Sequence, residues 1–444
     1  MFPKILIANR GEIAVRIIRA LKEMGISTVA VFSEADRDAL HVSMADESYC
    51  IGQASASKSY LNQTAILSAA LASGANAIHP GYGFLSENAS FAALCEKNKL
   101  KFIGPSSQVI RKMGDKDEAK RTMKLSGVPT IPGRENIDSP EKAKEAAVEI
   151  GFPLLIKARS GGGGRGIRRV DKLEEVETAY LTASAEAKAC FSDGSVYMEK
   201  YLQSVKHIEV QVLCDQQGHV VCLGERDCSM QRKHQKLLEE SPCACISPTL
   251  RAQLMDAAAK AAAAVGYEGA GTLEFLLDHD NNFYFMEMNT RLQVEHPVTE
   301  MVTGIDLVKW QIRIAAGIPL PFSQDDIHLS GHAIECRINA EDPFSNFRPS
   351  GGKVSLLHIP GGPWVRFDTA LYQGYDVPLY YDSMVGKLIV HASTRQEAIR
   401  KMQAALCETV IEGIEHTGPF QADLIGEAAF VDGSYTTDFL AKRG

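Results

Sequence analysis

A chain of 444 residues is too long for one ordinary core and is expected to divide into two or three domains. Its net charge of −8 argues against general nucleic-acid binding, which needs a clustered basic surface. Apolar runs such as GFPLLIKA and TLEFLLD fall well short of the roughly 20 residues a spanning helix needs, and the start MFPKILIANRGE lacks a signal-peptide pattern. A cytoplasmic protein with no membrane partner is therefore expected. The ten cysteines are scattered, mostly in apolar surroundings (Cys50, Cys95, Cys214, Cys336, Cys407), and read as reduced packing residues. The one close pair, Cys243 and Cys245, lacks the second pair a zinc site requires.

In chain order, KILIA reads as a buried strand, GEIAVRIIRALKEMG as an amphipathic helix closed by Gly25, and STVAVF as a second strand. That βαβ unit predicts a doubly wound N-terminal domain. The turn after the first strand is ANRGE, so the glycine fingerprint of dinucleotide binding is missing. The stretch HPGYGFLSEN reads as a loop carrying Tyr82 and Glu87. DKDEAKRTMKLSG reads as a polar helix, and Pro129, Pro132 and Gly133 behind it suit a hinge.

A small second domain then follows as helix SPEKAKEAAVEIG, strand PLLIKA, loop RSGGGGRG, strand IRRV, a long helix ending KACF, and strand SVYMEKYL. Beyond it come strands KHIEVQVLC and VVCLGERDC, an alanine-rich helix, and a long mixed α+β region. The fold class expected is α/β and α+β in several domains: 1–113, 114–203 and 204–444.

Four consecutive glycines let a backbone approach a polyanion, and Lys157 at the preceding strand end adds a point charge. A flexible hairpin tip would look similar. A Walker loop is excluded because no Gly-Lys-Ser/Thr follows.

Between TLEFLLD and NFYFMEM lies HDNN, a turn that predicts an antiparallel hairpin. If Asp278 pairs with Phe283, Glu274 faces Glu287 directly, and like charges so placed call for a cation. With Asn289 the donors are all oxygen, which suits Mg²⁺. The alternative is a protonated glutamate or one paired with Arg291. Asn289, Arg291, Gln293 and Glu295 alternate and would share one side of a continuing strand. Arg232, Lys233, His234 and Lys236 cluster after a strand, either as a solvated loop or as fixed cations for an anionic substrate. Arg337 alternates with Glu335 and Asn339 along a further strand.

Nine stretches, IANRGEIAVRIIRA, HPGYGFLSENA, MGDK, KARSGGGGRGI, YMEKYL, RDCSMQRKHQK, EMNTRLQVEHPVTE, GHAIECRINAED and YYDSMVGKLI, together resemble biotin carboxylase of the ATP-grasp superfamily, in order from about residue 3 to about 412. The resemblance implies a Rossmann-like N-terminal domain, an ATP-grasp lid and core, and a mixed α+β C-terminal region. It implies ATP contacts from Lys116, Lys157, Gly163, Gly164, Glu199, Lys200, Leu202, His207, Gln231 and His234. Glu274, Glu287 and Asn289 would hold Mg²⁺ or Mn²⁺. Lys236, Arg291, Gln293 and Val294 would hold bicarbonate, with Glu295 as general base, and Arg337 with Tyr82 would meet the ureido end of biotin. The implied catalytic set is Arg291, Glu295, Lys236 and Arg337. The implied reaction phosphorylates bicarbonate with ATP and passes CO₂ to biotin N1. A biotin carboxyl carrier protein and carboxyltransferase subunits would be separate partners, most often within acetyl-CoA carboxylase, and a homodimer is expected. No Met-Lys-Met biotinylation site is present. Arg159, Ser160, Ile167 and Gly418 depart from the family pattern.

Overall fold

The computed structural model describes residues 1–158, 167–191 and 194–443. The chain forms two compact units: Met1–Val128 with Lys206–Phe275 and Glu287–Gly444, and Pro129–Val205 with Leu276–Met286. The predicted hinge at Pro129 is where the first boundary falls, and the predicted polar helix, Lys116–Leu125, belongs to the larger unit.

The larger unit opens with five parallel strands, β1 (Lys4–Ile7), β2 (Ser27–Ser33), β3 (Glu47–Gly52), β4 (Ala77–His79) and β5 (Lys101–Phe102), in the order β3-β2-β1-β4-β5. KILI and TVAV lack polar alternation, and a parallel sheet covered by helices explains why. The helix Gly11–Glu23 buries Ile13, Ala14, Ile17, Ile18 and Leu21 along one stripe. The predicted βαβ unit is present.

The smaller unit carries β6 (Gly133–Ile137), β7 (Leu154–Ala158), β8 (Ile167–Val170) and β9 (Val196–Lys200) in the order β6-β9-β7-β8, all pairs antiparallel. Helices Pro140–Ile150 and Val176–Phe191 accompany it, and Ala143, Ala147, Leu154, Ile156, Met198 and Tyr180 share its core. Gly163 and Gly164, with Arg159 and Ser160, lie outside the described residues.

An eight-stranded sheet forms the frame of the larger unit, except that Leu276–Met286, the turn and adjoining ends of two of its strands, count with the smaller unit. It contains β10 (Lys206–Cys214), β11 (Val220–Arg232), β12 (Gln235–Ser241), β13 (Gly269–Leu277), β14 (Phe283–Asn289), β15 (His332–Asn339) and the strands Met384–Ala392 and Val365–Thr369. The spatial order is β14-β13-β10-β11-β12-β15, then Met384–Ala392 and Val365–Thr369. β10 is buried at all nine positions although it carries Lys206, His207, Glu209 and Gln211. A strand so placed must satisfy its charged groups internally. At the β11 to β12 turn Lys233 and His234 both take positive φ, 49° and 66°, as a two-residue hairpin turn of the primed kind requires.

One buried cluster gives this unit an acid-sensitive staple. The Glu240 carboxylate, fully buried, accepts hydrogen bonds from His332 Nε2 at 2.6 Å, Arg395 Nε at 2.7 Å and the Tyr435 hydroxyl at 2.8 Å. Burial alone would raise its pKa, but the bonds from His332 and Arg395 outweigh it and hold it down to about 2. With the folded value below the unfolded one, its contribution is present above about pH 4.5 and is lost as pH falls toward 2. Glu240→Gln is expected to cost about 3 kcal/mol at neutral pH. The urea midpoint of the variant should also fall less steeply between pH 4.5 and 2 than that of the unsubstituted protein. Parallel acid profiles would refute this.

Candidate functional site

The predicted Asp278 to Phe283 register is not what closes the hairpin. The Asp278 N–H donates to the Asn282 carbonyl at 2.9 Å, the Asn281 N–H donates back to Asp278 at 3.1 Å, and Asn281 has φ 63°. This is a three-residue loop whose left-handed residue shifts the pairing by one. Glu274 and Glu287 still influence one another: burial and then the Glu274 charge raise the Glu287 pKa, and Lys116 opposes them. Asp115 caps the helix that Lys116 begins, accepting from the Asp117 and Glu118 N–H groups at 3.0 and 2.9 Å.

A second expectation also fails in detail. β14 ends at Asn289, so Arg291, Gln293 and Glu295 do not alternate along a strand; they lie on the turn leading into helix His296–Thr303. Pro297 at the first turn of that helix sets where it begins. The turn nevertheless converges these residues. Glu274 Oε1 accepts from Asn289 Nδ2 at 2.7 Å, Gln293 Nε2 at 2.9 Å and Lys236 Nζ at 3.2 Å. Its other oxygen lies 2.8 Å from His207 Nε2, while His207 Nδ1 meets Gln231 Nε2 at 2.8 Å.

Glu295 is gripped from two sides: Lys236 Nζ donates to Oε1 at 2.8 Å and Arg337 Nη2 to Oε2 at 3.0 Å. Burial opposes the charge of Glu295, yet Lys236, Arg337 and Arg226 outweigh it and hold the carboxyl well below the usual range. Arg337 also donates to Glu239 at 2.6 Å, and burial pushes Glu239 up to about 7 despite that arginine. Arg337, partly buried, is therefore part of a charge network with Glu239 and Glu295.

Arg291 does not pair with Glu287. Its Nε donates to Glu87 Oε2 at 2.8 Å, and its guanidinium reaches Asn289 Oδ1 at 3.1 Å and Gln293 Oε1 at 3.4 Å. Among the described residues the Glu287 carboxylate has no hydrogen-bond partner. Val294 and Tyr82 share one lysine's neighbourhood: Lys387 Nζ donates to the Val294 carbonyl at 2.7 Å and lies 3.2 Å from Glu12, which accepts from the Tyr82 hydroxyl.

In the smaller unit, Lys157 Nζ bonds the Glu199 carboxylate, Lys200 ends β9, and Leu202 follows in a loop. His234, at the exposed β11 to β12 turn, stands apart from the buried cluster.

Comparison with known proteins decides what this cluster belongs to. Residues 1–110 match the family described as biotin carboxylase, N-terminal domain, and residues 335–442 match the biotin carboxylase C-terminal domain. Residues 115–323 match the carbamoyl-phosphate synthase L chain, ATP binding domain. Biotin carboxylase 1 of Bacillus subtilis is 55% identical over 442 residues, covering 99% of this chain and 98% of that protein. The chain belongs to the biotin carboxylase family.

Solved members of that family agree in fold. The biotin carboxylase from Campylobacter jejuni, in a complex titled beta-gamma-ATP, is 52% identical, with a TM-score of 0.92 over 100% of this chain and 99% of that one. The biotin carboxylase domain dimer of 2-oxoglutarate carboxylase from Hydrogenobacter thermophilus, bound to MgADP, ADP and bicarbonate, is 50% identical with a TM-score of 0.91, covering 100% of this chain and 98% of that one. As a family member the chain is an ATP-dependent ligase of the ATP-grasp kind. Among the described residues no helix is long and apolar enough to cross a membrane.

The donor set of Glu274, Glu287 and Asn289 has the chemistry a divalent ion takes. Glu287 is buried enough for its charge to be disfavoured, beside an ionised Glu274, and the donors Glu274, Glu287 and Asn289 are all oxygen. Such a set selects a hard ion such as Mg²⁺ or Mn²⁺.

Glu209, Arg226, Glu239 and Lys387 were not singled out by the sequence, although all four are fully buried. Their signal was a charged residue inside an otherwise apolar strand, as in HIEVQVL, CLGERDC and MVGKLIV.

Proposed function

We propose that the chain carboxylates biotin on a separate carrier protein, with ATP and bicarbonate as co-substrates, as the first half-reaction of acetyl-CoA carboxylase. The observation that carries this reading is Glu295 held between Lys236 and Arg337, within one buried network that also contains Glu274, Asn289 and Gln293.

Roles follow from the chemistry of each group. A bound divalent ion on Glu274, Glu287 and Asn289 would offset phosphate charge. Lys116, Lys157, Gly163 and Gly164 serve the phosphates, and Glu199, Lys200, Leu202, His207, Gln231 and His234 serve the rest of the nucleotide. Arg291, Gln293, Lys236 and the Val294 backbone bind bicarbonate. An anion that binds Lys236 weakens its hold on Glu295, so the carboxylate becomes a better proton acceptor when substrate arrives. Glu295 then removes the bicarbonate proton as its oxygen attacks the terminal phosphate of ATP, forming carboxyphosphate and ADP. Carboxyphosphate breaks to CO₂ and phosphate, the phosphate takes the biotin N1 proton, and Arg337 with Tyr82 steadies the negative ureido oxygen.

The modules proposed are 1–113 as the N-terminal doubly wound domain, 114–203 as linker helices and lid, and 204–444 as core and C-terminal domain. A cytoplasmic homodimer working with a biotin carboxyl carrier protein and carboxyltransferase subunits completes the reading. A second reading, service to a 2-oxo-acid carboxylase, is favoured by the 50% identity to the 2-oxoglutarate carboxylase domain.

ADP release should require Mg²⁺ and bicarbonate and should rise when free biotin is added. Release indifferent to both bicarbonate and biotin would overturn the assignment. The carboxyltransferase that co-purifies, tested with acetyl-CoA against pyruvate and 2-oxoglutarate, separates the two readings. Replacing Glu287 by Gln should raise the Mg²⁺ concentration needed for half-maximal turnover by at least tenfold, because an oxygen ligand loses its charge. An unchanged Mg²⁺ requirement would remove Glu287 from the metal set.

A further inference from the structure

The sequence PCAC, residues 242–245, is used by nothing in the proposed reaction. After Ser241 ends β12, the chain turns at Ala244 and Cys245, and this brings two thiols together: Cys243 Sγ and Cys245 Sγ are 3.2 Å apart. Cys243 is 2% exposed, whereas Cys245 is exposed. Such a pair has one sulfur a solute can reach and one it cannot.

The surroundings favour redox chemistry over metal binding. Asp227 is the third potential ligand, and its donor atom lies within 4.8 Å of both sulfurs. Its carboxylate is already used: Oδ2 accepts from Lys206 Nζ at 2.8 Å, and Oδ1 accepts from the Ser229 N–H at 3.0 Å and hydroxyl at 2.5 Å. The Lys206 ammonium, which also stands 3.5 Å over the Tyr435 ring, would repel a cation there. The same positive charge favours a thiolate. The bond from Cys243 and the Lys206 charge lower the Cys245 pKa against burial, while its partner Cys243 is held up.

We propose that Cys243 and Cys245 are a reversible dithiol and disulfide pair, oxidised by small-molecule disulfides, whose oxidation is felt at Glu274. The Cys245 thiolate attacks one sulfur of the small disulfide and expels its other half as a thiolate, which takes up a proton. Cys243, deprotonated, then attacks the Cys245 sulfur and expels the second half. Two protein thiols lose two electrons and two protons, and one small disulfide becomes two thiols.

Oxidation removes the Cys243 S–H, whose sulfur lies 3.5 Å from Asp227 Oδ2. Asp227 accepts from the Ser229 hydroxyl, that hydroxyl accepts from the His207 backbone N–H at 2.8 Å, and the His207 ring lies 2.8 Å from Glu274. The path from sulfur toward the Glu274 carboxylate thus runs through hydrogen bonds as far as the His207 backbone, and its ring stands 2.8 Å from that carboxylate.

The test treats the full chain with oxidised glutathione and then dithiothreitol, reading peptide masses and ATP turnover. The disulfide does not depend on the functional reading above; its effect on turnover does. Expected is loss of two hydrogens from the peptide spanning Cys243 and Cys245, with no retained glutathione, restored by dithiothreitol. Turnover should fall at least twofold on oxidation and recover on reduction, and Cys245→Ser should abolish both changes. A stable glutathione adduct on Cys245 with Cys243 still free would overturn the pair. Stoichiometric Zn²⁺ binding that Cys245→Ser removes would overturn it in favour of a metal site. A disulfide that forms without altering turnover would overturn the coupling to Glu274.

Discussion

Glu295→Gln is expected to lower bicarbonate-dependent ADP release and biotin carboxylation by roughly 10²- to 10⁴-fold, the usual contribution of a positioned general base. The substitution keeps the shape of the side chain and removes only its capacity to take a proton. Packing should survive, because Lys236 retains Glu209 and Glu274, and Arg337 retains Glu239. Nucleotide affinity, measured by titration calorimetry, should change little, which separates a lost base from a lost fold. The charge on Glu295 is held far below the ordinary range by Lys236 and Arg337, so the carboxylate is ionised throughout the neutral region. The acid limb of the kcat/KM profile near neutrality should accordingly not belong to Glu295. Turnover within tenfold of the unsubstituted protein would remove Glu295 from the role of base.

The sequence disclosed some layers of this architecture more readily than others, for physical reasons. KILI and the helix behind it were readable because a buried parallel strand and an amphipathic helix each leave a periodic signature. The register of the β13 to β14 hairpin was not, since HDNN is compatible with several loop types, and only the left-handed Asn281 selects the three-residue one. Alternation of Asn289, Arg291, Gln293 and Glu295 suggested one side of a strand; the convergence is real, but it comes from a turn that Pro297 ends by starting a helix. The partners of each charge were beyond reach. Arg291 meets Glu87, 204 positions away, and Arg337 meets Glu239 and Glu295 from two other segments. Such pairings are set by strand order, which a single sequence encodes only through the whole sheet.

The cost of those long-range pairings is what a second variant measures. Arg226 is fully buried, and every polar contact it makes is internal: Glu209 Oε2 at 3.0 Å, Gln211 Oε1 at 2.8 Å, Thr299 Oγ1 at 3.0 Å and Thr272 Oγ1 at 3.1 Å. It lies between β10 and the helix that follows Glu295, tying the frame to the turn that carries the base. Arg226→Met keeps much of the volume while leaving Glu209 with Lys236 and, at 3.5 Å, the His207 ring, and three uncharged partners unfilled. Breaking one side of a buried pair costs about 3 to 5 kcal/mol, far more than a surface ion pair, because an uncompensated charge stays in a poorly solvated interior. The loss should appear as a lower urea midpoint by circular dichroism. Glu209→Gln added to Arg226→Met should recover part of it, since the second change removes the stranded charge. A loss below about 1 kcal/mol would mean that Lys236 and His207 neutralise Glu209 without the arginine. The arginine would then be a filler of space rather than the tie between β10 and the Glu295 turn.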